Sequence, residues 1–351
     1  MLLPAFGIGK EKRQMEESTV EKREPKYKPA DWHTDKCGDI LVTPGTFGRL
    51  PYLKTLEDVD FVVAGIPFDS LTSGRPGTKF GPKAIREAYG GIGYVYGTDI
   101  EVFNYISGVD YGDMEVINGD TKQSFEKITA QMKEFLEAGV VPVILGGDHS
   151  ITYPELLAYR DSYGPVSLIH FDSHTDTWGG EESLEFPSHG NPFRNAILTG
   201  CIDPKTSIQV GMRGIMRDEH DYDFAHEHGL EQIYAVDLHK MGVYEAAKKI
   251  REKVGNHKVM VTFDIDFVDP AVAPGTGTPV PGGFNSWETL ELVRAAITGL
   301  DVVGFDLVEV APNYDPTENT QLLAQKIVAE FITAIAAKKA GIKEYKYIEK
   351  K

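Results

Sequence analysis

The chain has 351 residues, 41% of them hydrophobic, a formal net charge of −17, and two cysteines, Cys37 and Cys201, that form no CxxC pattern. That length suits one large α/β domain or two average ones, and the acidic balance argues against nucleic acid, whose phosphates need Lys and Arg. No apolar run approaches a membrane span, and the opening MLLPAFGIGKEKR lacks a basic region before its short apolar stretch; a soluble cytoplasmic protein is expected.

Residues 1–54 read as a separate arm, partly disordered or wrapped on a neighbouring subunit, because the charged stretch 9–28 has few large apolar residues and Pro and Gly recur through 43–51. A single domain follows over 55–345. Val59–Gly65 predicts a first buried strand and Pro82–Tyr89 a short helix. Ser124–Ala138 has helical apolar spacing through Ile128, Met132, Phe135 and Leu136, stopped by Gly139. Strands are expected at Val141–Leu145, Val166–Phe171, Ser207–Val210, Gln232–Val236, Val259–Phe263 and Val302–Leu307. Helices are expected near Tyr244–Val254 and Trp287–Thr298, the latter entered through Asn285 with Glu288 three residues on, a capping-box pattern, and at Thr320–Ala340. Near-continuous apolar strands separated by helices imply an α/β fold with a central parallel sheet covered on both faces.

Three of these strands end in chemistry. VVPVIL runs into GGDH ending at His149, PVSLIH into FDSHTD with Asp172, His174 and Asp176, and KVMVTF into DID at Asp264 and Asp266. In an open parallel sheet the carboxyl edge is where ligands bind. With period two, Asp172, His174 and Asp176 point to one side of an extended segment. Four like-charged carboxylates cannot share a pocket unless cations neutralise them, so two divalent metal ions are the economical explanation. A mixed His/Asp donor set suits manganese, nickel, zinc or iron(II).

GGDHS at Gly146–Ser150, HFDSHTDT at His170–Thr177, SHGNPFR at Ser188–Arg194, FDIDFVDPAVAPGTGTPVPGG at Phe263–Gly283 and GFDLVEVAP at Gly304–Pro312 resemble the ureohydrolase (arginase/agmatinase) superfamily. PFDSLTSGRPGTKFGPKAIR, Pro67–Arg86, is similar to that family's substrate-side loop. The resemblance covers about Asp58 to Ala340. It implies a three-layer α/β/α fold, a dinuclear manganese centre with nickel as the alternative, and hydrolysis of a guanidino group to an amine and urea. It further implies a homo-oligomer, a trimer or hexamer. By the same resemblance, His149, Asp172, Asp176 and Asp264 would hold one ion and His174, Asp172, Asp264 and Asp266 the other, with Asp172 and Asp264 bridging. Ser173 stands where the family pattern usually has alanine, and is expected to leave the ligand geometry intact. His189 matches the proton-shuttling histidine, Glu309 the carboxylate that pairs with the guanidinium, and Asp176 is placed to orient the attacking water. A guanidinium carbon is a poor electrophile, which is why activated water and a proton donor near pH 7 are both needed.

Other features weigh less. The Gly and Pro alternation over 274–283 describes a stiff loop shaping the pocket entrance. His170 reads as a buried structural histidine, with contact to the metal ligands conceivable; His220, His226 and His228 read as surface residues, and Trp178 as a candidate pocket wall. Tail selection is expected from Thr72–Lys79, Trp178–Glu185 and Asn191–Arg194. Glu181, Glu182 and Glu185 could draw in agmatine's ammonium, and Arg194 would favour a carboxylate tail if it faced the pocket. HGNPFR is closer to the agmatinase form than to the arginase form, although Asn191 replaces the usual threonine. A small cationic guanidino substrate, agmatine first, is the expectation; 4-guanidinobutyrate, free guanidine or an alkylguanidine or biguanide is the alternative. Two rivals of another kind stand beside it: a non-catalytic regulatory subunit and a metal-dependent deacetylase of the same fold.

Overall fold

Short β-forming runs joined by helices assemble into one eight-stranded sheet in the computed structural model, which describes residues 20–29, 45–95, 100–214 and 220–345. In chain order the strands are β1 Phe61–Gly65, β2 Tyr94–Val95, β3 Ile100–Glu101, β4 Gly108–Asp113, β5 Val141–Leu145, β6 Ser167–Phe171, β7 Ile208–Met212, β8 Glu231–Tyr234, β9 Lys258–Asp264 and β10 Asp301–Val308. The helices are α1 Gly81–Glu87, α2 Thr121–Glu137, α3 Thr152–Tyr163, α4 Pro192–Leu198, α5 Asp223–Glu227, α6 Ala235–Met241, α7 Val243–Val254, α8 Ser286–Ile297 and α9 Asn319–Lys339. β2 and β3 pair with each other; the main sheet runs β4-β1-β5-β10-β9-β6-β7-β8, and all its pairs are parallel.

Alternation along each strand feeds two cores. Phe61, Val63, Ile169, Phe171, Val261 and Phe263 face one side, with α7, α8 and α9. Val62, Ala64, Leu168 and Met260 face the other, with α2, α3 and α4. This is the three-layer α/β/α arrangement expected of parallel strands buried on both faces. α8 carries its capping box, with Asn285 and Glu288 each accepting from the other's backbone N–H.

Four local expectations change. The strand expected to reach Val236 stops at Tyr234, whose extended backbone serves as the N-cap of α6, so Ala235 and Val236 are helical. β4 was not expected, because Gly108, Asp110, Gly112 and Asp113 break its apolar run. α3 escaped notice because buried Thr152, Glu155 and Tyr159 interrupt its apolar face. α1 ends at Glu87, two residues short, as Ala88 turns to ψ 138. In the arm, Arg23 N–H donates to Asn104 O and Gly108 N–H to Tyr27 O, while Phe47 and Leu50 are wholly buried in the core of this same chain. Residues 1–19 and 30–44 of the arm, Cys37 included, lie outside the described residues.

Candidate metal centre

The sheet order makes β5, β10, β9 and β6 consecutive neighbours. Their carboxyl ends deliver His149, Glu309, Asp264 with Asp266, and Asp172 with His174 and Asp176 to one place. Gly147 allows the turn after β5 to press on the segment before Asp69: a Cβ there would lie 1.8 Å from Phe68 O. Two positions of the site use left-handed backbone without being glycine, Asp176 at φ 49 and Glu309 at φ 63. Such strain costs on the order of 1–3 kcal/mol each and persists only where packing over-determines it.

Two clusters of ligand atoms form. In the first, His149 Nδ1 lies 3.1 Å from Asp172 Oδ2, 3.0 Å from Asp176 Oδ2 and 3.3 Å from Asp264 Oδ2. His149 Nε2 is 2.9 Å from Thr262 Oγ1. With Nε2 taken up by that hydroxyl, Nδ1 is the nitrogen turned toward the carboxylates, and it has no hydrogen-bond partner of its own. In the second, His174 Nδ1 lies 3.1 Å from Asp266 Oδ2 and 3.4 Å from Asp172 Oδ1. Asp172 therefore offers one oxygen to each cluster, an arrangement that suits a bridging ligand. Asp264 turns Oδ2 to the first cluster, while its Oδ1 accepts from Asp266 N–H at 2.8 Å. Ser173 does more than fill space: its Oγ and N–H both donate to Asp266 Oδ1, at 2.7 and 3.1 Å.

Electrostatics tests whether cations fit. The four carboxylates are at most 5% exposed. Burial, then Asp266 and Asp172, pushes Asp264 well above the carboxylate range, and burial with Asp172 raises Asp176. Burial would keep both histidines neutral, yet Asp266 and Asp172 push His174 up to about 12, and Asp172, Asp176 and Asp264 hold His149 well above its usual value. A field that protonates buried imidazoles is one that divalent cations satisfy better. The donor set of carboxylate oxygens and imidazole nitrogens fits two such ions.

Beside the clusters, His189 Nδ1 lies 2.9 Å from Glu309 Oε1, and its Nε2 receives the Ser73 N–H at 3.0 Å with Ser73 Oγ at 2.7 Å. A backbone N–H can only donate, so the ring is the Nδ1–H tautomer here. Burial works against protonation, but Glu309, Asp176 and Asp148 push His189 up to about 9. Glu309 Oε1 also accepts His149 N–H at 2.9 Å, whereas its buried Oε2 has no partner. Asp148 is pushed to about 7 by burial and by Glu309, and its Oδ2 accepts Leu71 N–H at 3.0 Å. Trp178 meets His174 edge to face at 5.8 Å and walls the second cluster.

The nine residues of interest thus divide clearly. His149, Asp172, His174, Asp176, Asp264 and Asp266 line two adjoining clusters, and His189 with Glu309 sits alongside. His170 is fully buried and 2.7 Å from Asp172 Oδ2, so it is both a core residue and a neighbour of the ligands. His220 and His226 are exposed; His228 is half-buried, its ring tilted against that of Phe224 with centroids 4.2 Å apart. Arg194 donates to Thr177 O and Gly180 O, both at 3.1 Å, with its guanidinium 3.9 Å above the Phe224 ring. Glu182 accepts Gly180 N–H at 3.1 Å and Glu185 is exposed; the Glu181 side chain lies outside the described residues. The sequence reading missed Ser73, Asp148, Thr262 and Asp306. The last two had a signal: each is a polar residue inside an otherwise apolar strand.

The Arginase family model matches residues 59–334. The chain is 39% identical to the agmatinase of Cronobacter sakazakii, over 86% of this chain and 97% of that one. It is 38% identical to the mitochondrial guanidino acid hydrolase of Homo sapiens, over 82% and 81%. Proclavaminate amidinohydrolase from Streptomyces clavuligerus superposes with a TM-score of 0.80 at 39% identity, covering 86% of this chain and 99% of that structure. The chain belongs to the arginase family, as an agmatinase-like ureohydrolase that splits a guanidino group into an amine and urea.

Proposed function

We propose that the chain is a manganese-dependent hydrolase of guanidino compounds whose tail carries no carboxylate, agmatine foremost. The observation that carries this reading is Arg194. It is a cation that could have received a carboxylate tail, and it is consumed by Thr177 O, Gly180 O and the Phe224 ring. Oxygen-rich ligation with two imidazoles suits manganese. When bound, two divalent ions would supply Lewis acidity and water activation. The unpartnered Glu309 Oε2 receives the guanidinium, Asp176 accepts a hydrogen bond from the attacking water and orients it, and His189 hands a proton to the departing nitrogen. His189, Asp176 and Glu309 are thus the catalytic residues of the proposal.

A second reading has its own support. Ser73 is bonded to His189, and Arg75 ties the same loop to Thr276 O at 2.6 Å and Gly277 O at 3.3 Å, which narrows the entrance. That favours free guanidine or a short alkylguanidine, with nickel as the alternative metal. Urea release from agmatine, 4-guanidinobutyrate and guanidine, each with manganese and with nickel, separates the two. Agmatine should give the highest kcat/KM; guanidine ahead by tenfold or more supports the narrow-pocket reading, and 4-guanidinobutyrate ahead overturns both. No helix among the described residues is long and apolar enough to cross a membrane. A cytoplasmic homo-oligomer acting on this small cationic substrate, without nucleic acid or membrane partners, completes the proposal.

A further inference from the structure

A row of polar side chains crosses the sheet at one level just beneath the ligands. The register pairs His170 on β6 with Gln209 on β7, and Gln209 with Gln232 on β8. All three point to the face that carries α3 and α4, since Ile169, Phe171, Ile208, Val210 and Ile233 take the opposite face. Polar groups there need partners, and they have one another.

Donor directions in this row follow from one carbonyl. Gln209 Nε2 lies 2.5 Å from Thr175 O, which can only accept, so that end of the amide is the NH₂ group. The same nitrogen donates to His170 Nδ1 at 3.0 Å, and Gln209 Oε1 accepts from Gln232 Nε2 at 2.6 Å. With Nδ1 accepting, His170 carries its proton on Nε2, which is 2.7 Å from Asp172 Oδ2. The ring has no freedom to turn: Phe193 lies 4.2 Å from it on one side and His149 meets it edge to face at 5.1 Å.

His170 stands close enough to His149, Asp172 and Asp176 to be taken for a metal ligand. We propose instead that His170 is a positioning residue: its Nε2–H, fixed by Gln209 and Gln232, holds the bridging Asp172 so that Oδ2 serves the first ion and Oδ1 the second. An Nε2 that already donates to a ligand oxygen has no lone pair left for an ion. The inference rests on the ligand set assigned above, and Asp172 offers an oxygen to each cluster, so one hydrogen bond acts on both.

Titration of manganese into the metal-free full-length protein, followed by calorimetry and elemental analysis, tests it. His170→Phe keeps the ring stack and removes both nitrogens. It should still take up two ions at saturation, with affinity reduced about 10- to 100-fold. His170→Gln, whose amide can again donate to Asp172 Oδ2, should recover part of that loss. Gln209→Leu touches no ligand and should weaken binding in the same direction by less; it also serves if His170→Phe does not fold. Saturation at one ion in His170→Phe would make His170 a ligand and overturn the proposal, as would two ions bound with unchanged affinity. If the unaltered protein binds no divalent ion, the ligand assignment itself fails, a result distinct from either.

Discussion

Glu155 offers a sharp test of how this interior handles charge. It projects from α3 toward β10, is fully buried, and neither of its oxygens has a hydrogen-bond partner; Tyr159 Oη and Asp306 Oδ1, in the same strip, are also unpartnered. Burial, then the neighbouring Asp306, raises the Glu155 acid well above its ordinary value, with only distant His149 opposing. The folded protein therefore holds Glu155 protonated at pH values where the unfolded chain releases that proton. A raised folded value means stability that is fully present below the unfolded carboxyl's 4.5 and is lost as pH rises toward the folded value. The slope is about 1.4 kcal/mol per pH unit for one proton. Glu155→Gln removes the titration, keeps the shape, and supplies an NH₂ donor to a strip rich in orphan acceptors. Its stability relative to the unaltered protein should grow by that slope as pH rises above the unfolded carboxyl's 4.5 toward the raised folded value. Denaturant unfolding followed by tryptophan fluorescence, at saturating metal so that the metal contribution cancels, measures it. Parallel stability curves for the two proteins would show that Glu155 is ionised in the fold, and the reasoning would be refuted.

Other consequences concern the site. Asp172→Asn should abolish turnover and weaken both ions together, because Asp172 offers an oxygen to each cluster; one ion retained at full affinity in elemental analysis would contradict the bridge. His189→Ala should lower kcat by about 10²- to 10⁴-fold with metal content intact, and loss of metal alongside activity would make it structural instead. Glu309→Gln should impair every accepted guanidino substrate alike, read as kcat/KM across the panel; selective loss of one substrate would move guanidinium recognition elsewhere. Acid should strip the metals: His174 and His149 have values raised by Asp266, Asp172, Asp176 and Asp264, so protons compete with cations increasingly as pH falls. Metal content after dialysis at stepped pH checks this, and retention independent of pH would count against imidazole ligation.

Much of this protein was legible in the chain itself. Apolar β-forming runs alternating with helical spacing announced a parallel sheet, because a strand buried on both faces cannot afford alternating polarity. His149, Asp172, His174, Asp176, Asp264 and Asp266 stood out because each follows such a run directly, where a parallel sheet leaves its functional edge. The capping box at Asn285 was readable for a similar reason: its bonds close within four residues.

What remained hidden depends on pairing between distant segments. Nothing local says that β10 and β9 insert between β5 and β6, yet that order is what carries Glu309 to His149, 160 residues away in sequence. Ser73 meets His189 across 116 residues, and Thr262 meets His149 across 113. The fate of Arg194 was equally undecidable, since a cation beside a pocket either faces it or braces the loop, and here Thr177 O, Gly180 O and Phe224 take it. The sequence allowed His170 a contact with the metal ligands, but only the register puts it beside Gln209 and Gln232. Composition and period are properties of a segment and determine which elements form and which face each buries; strand order, register and donor direction exist only between segments, so tertiary structure alone decides them.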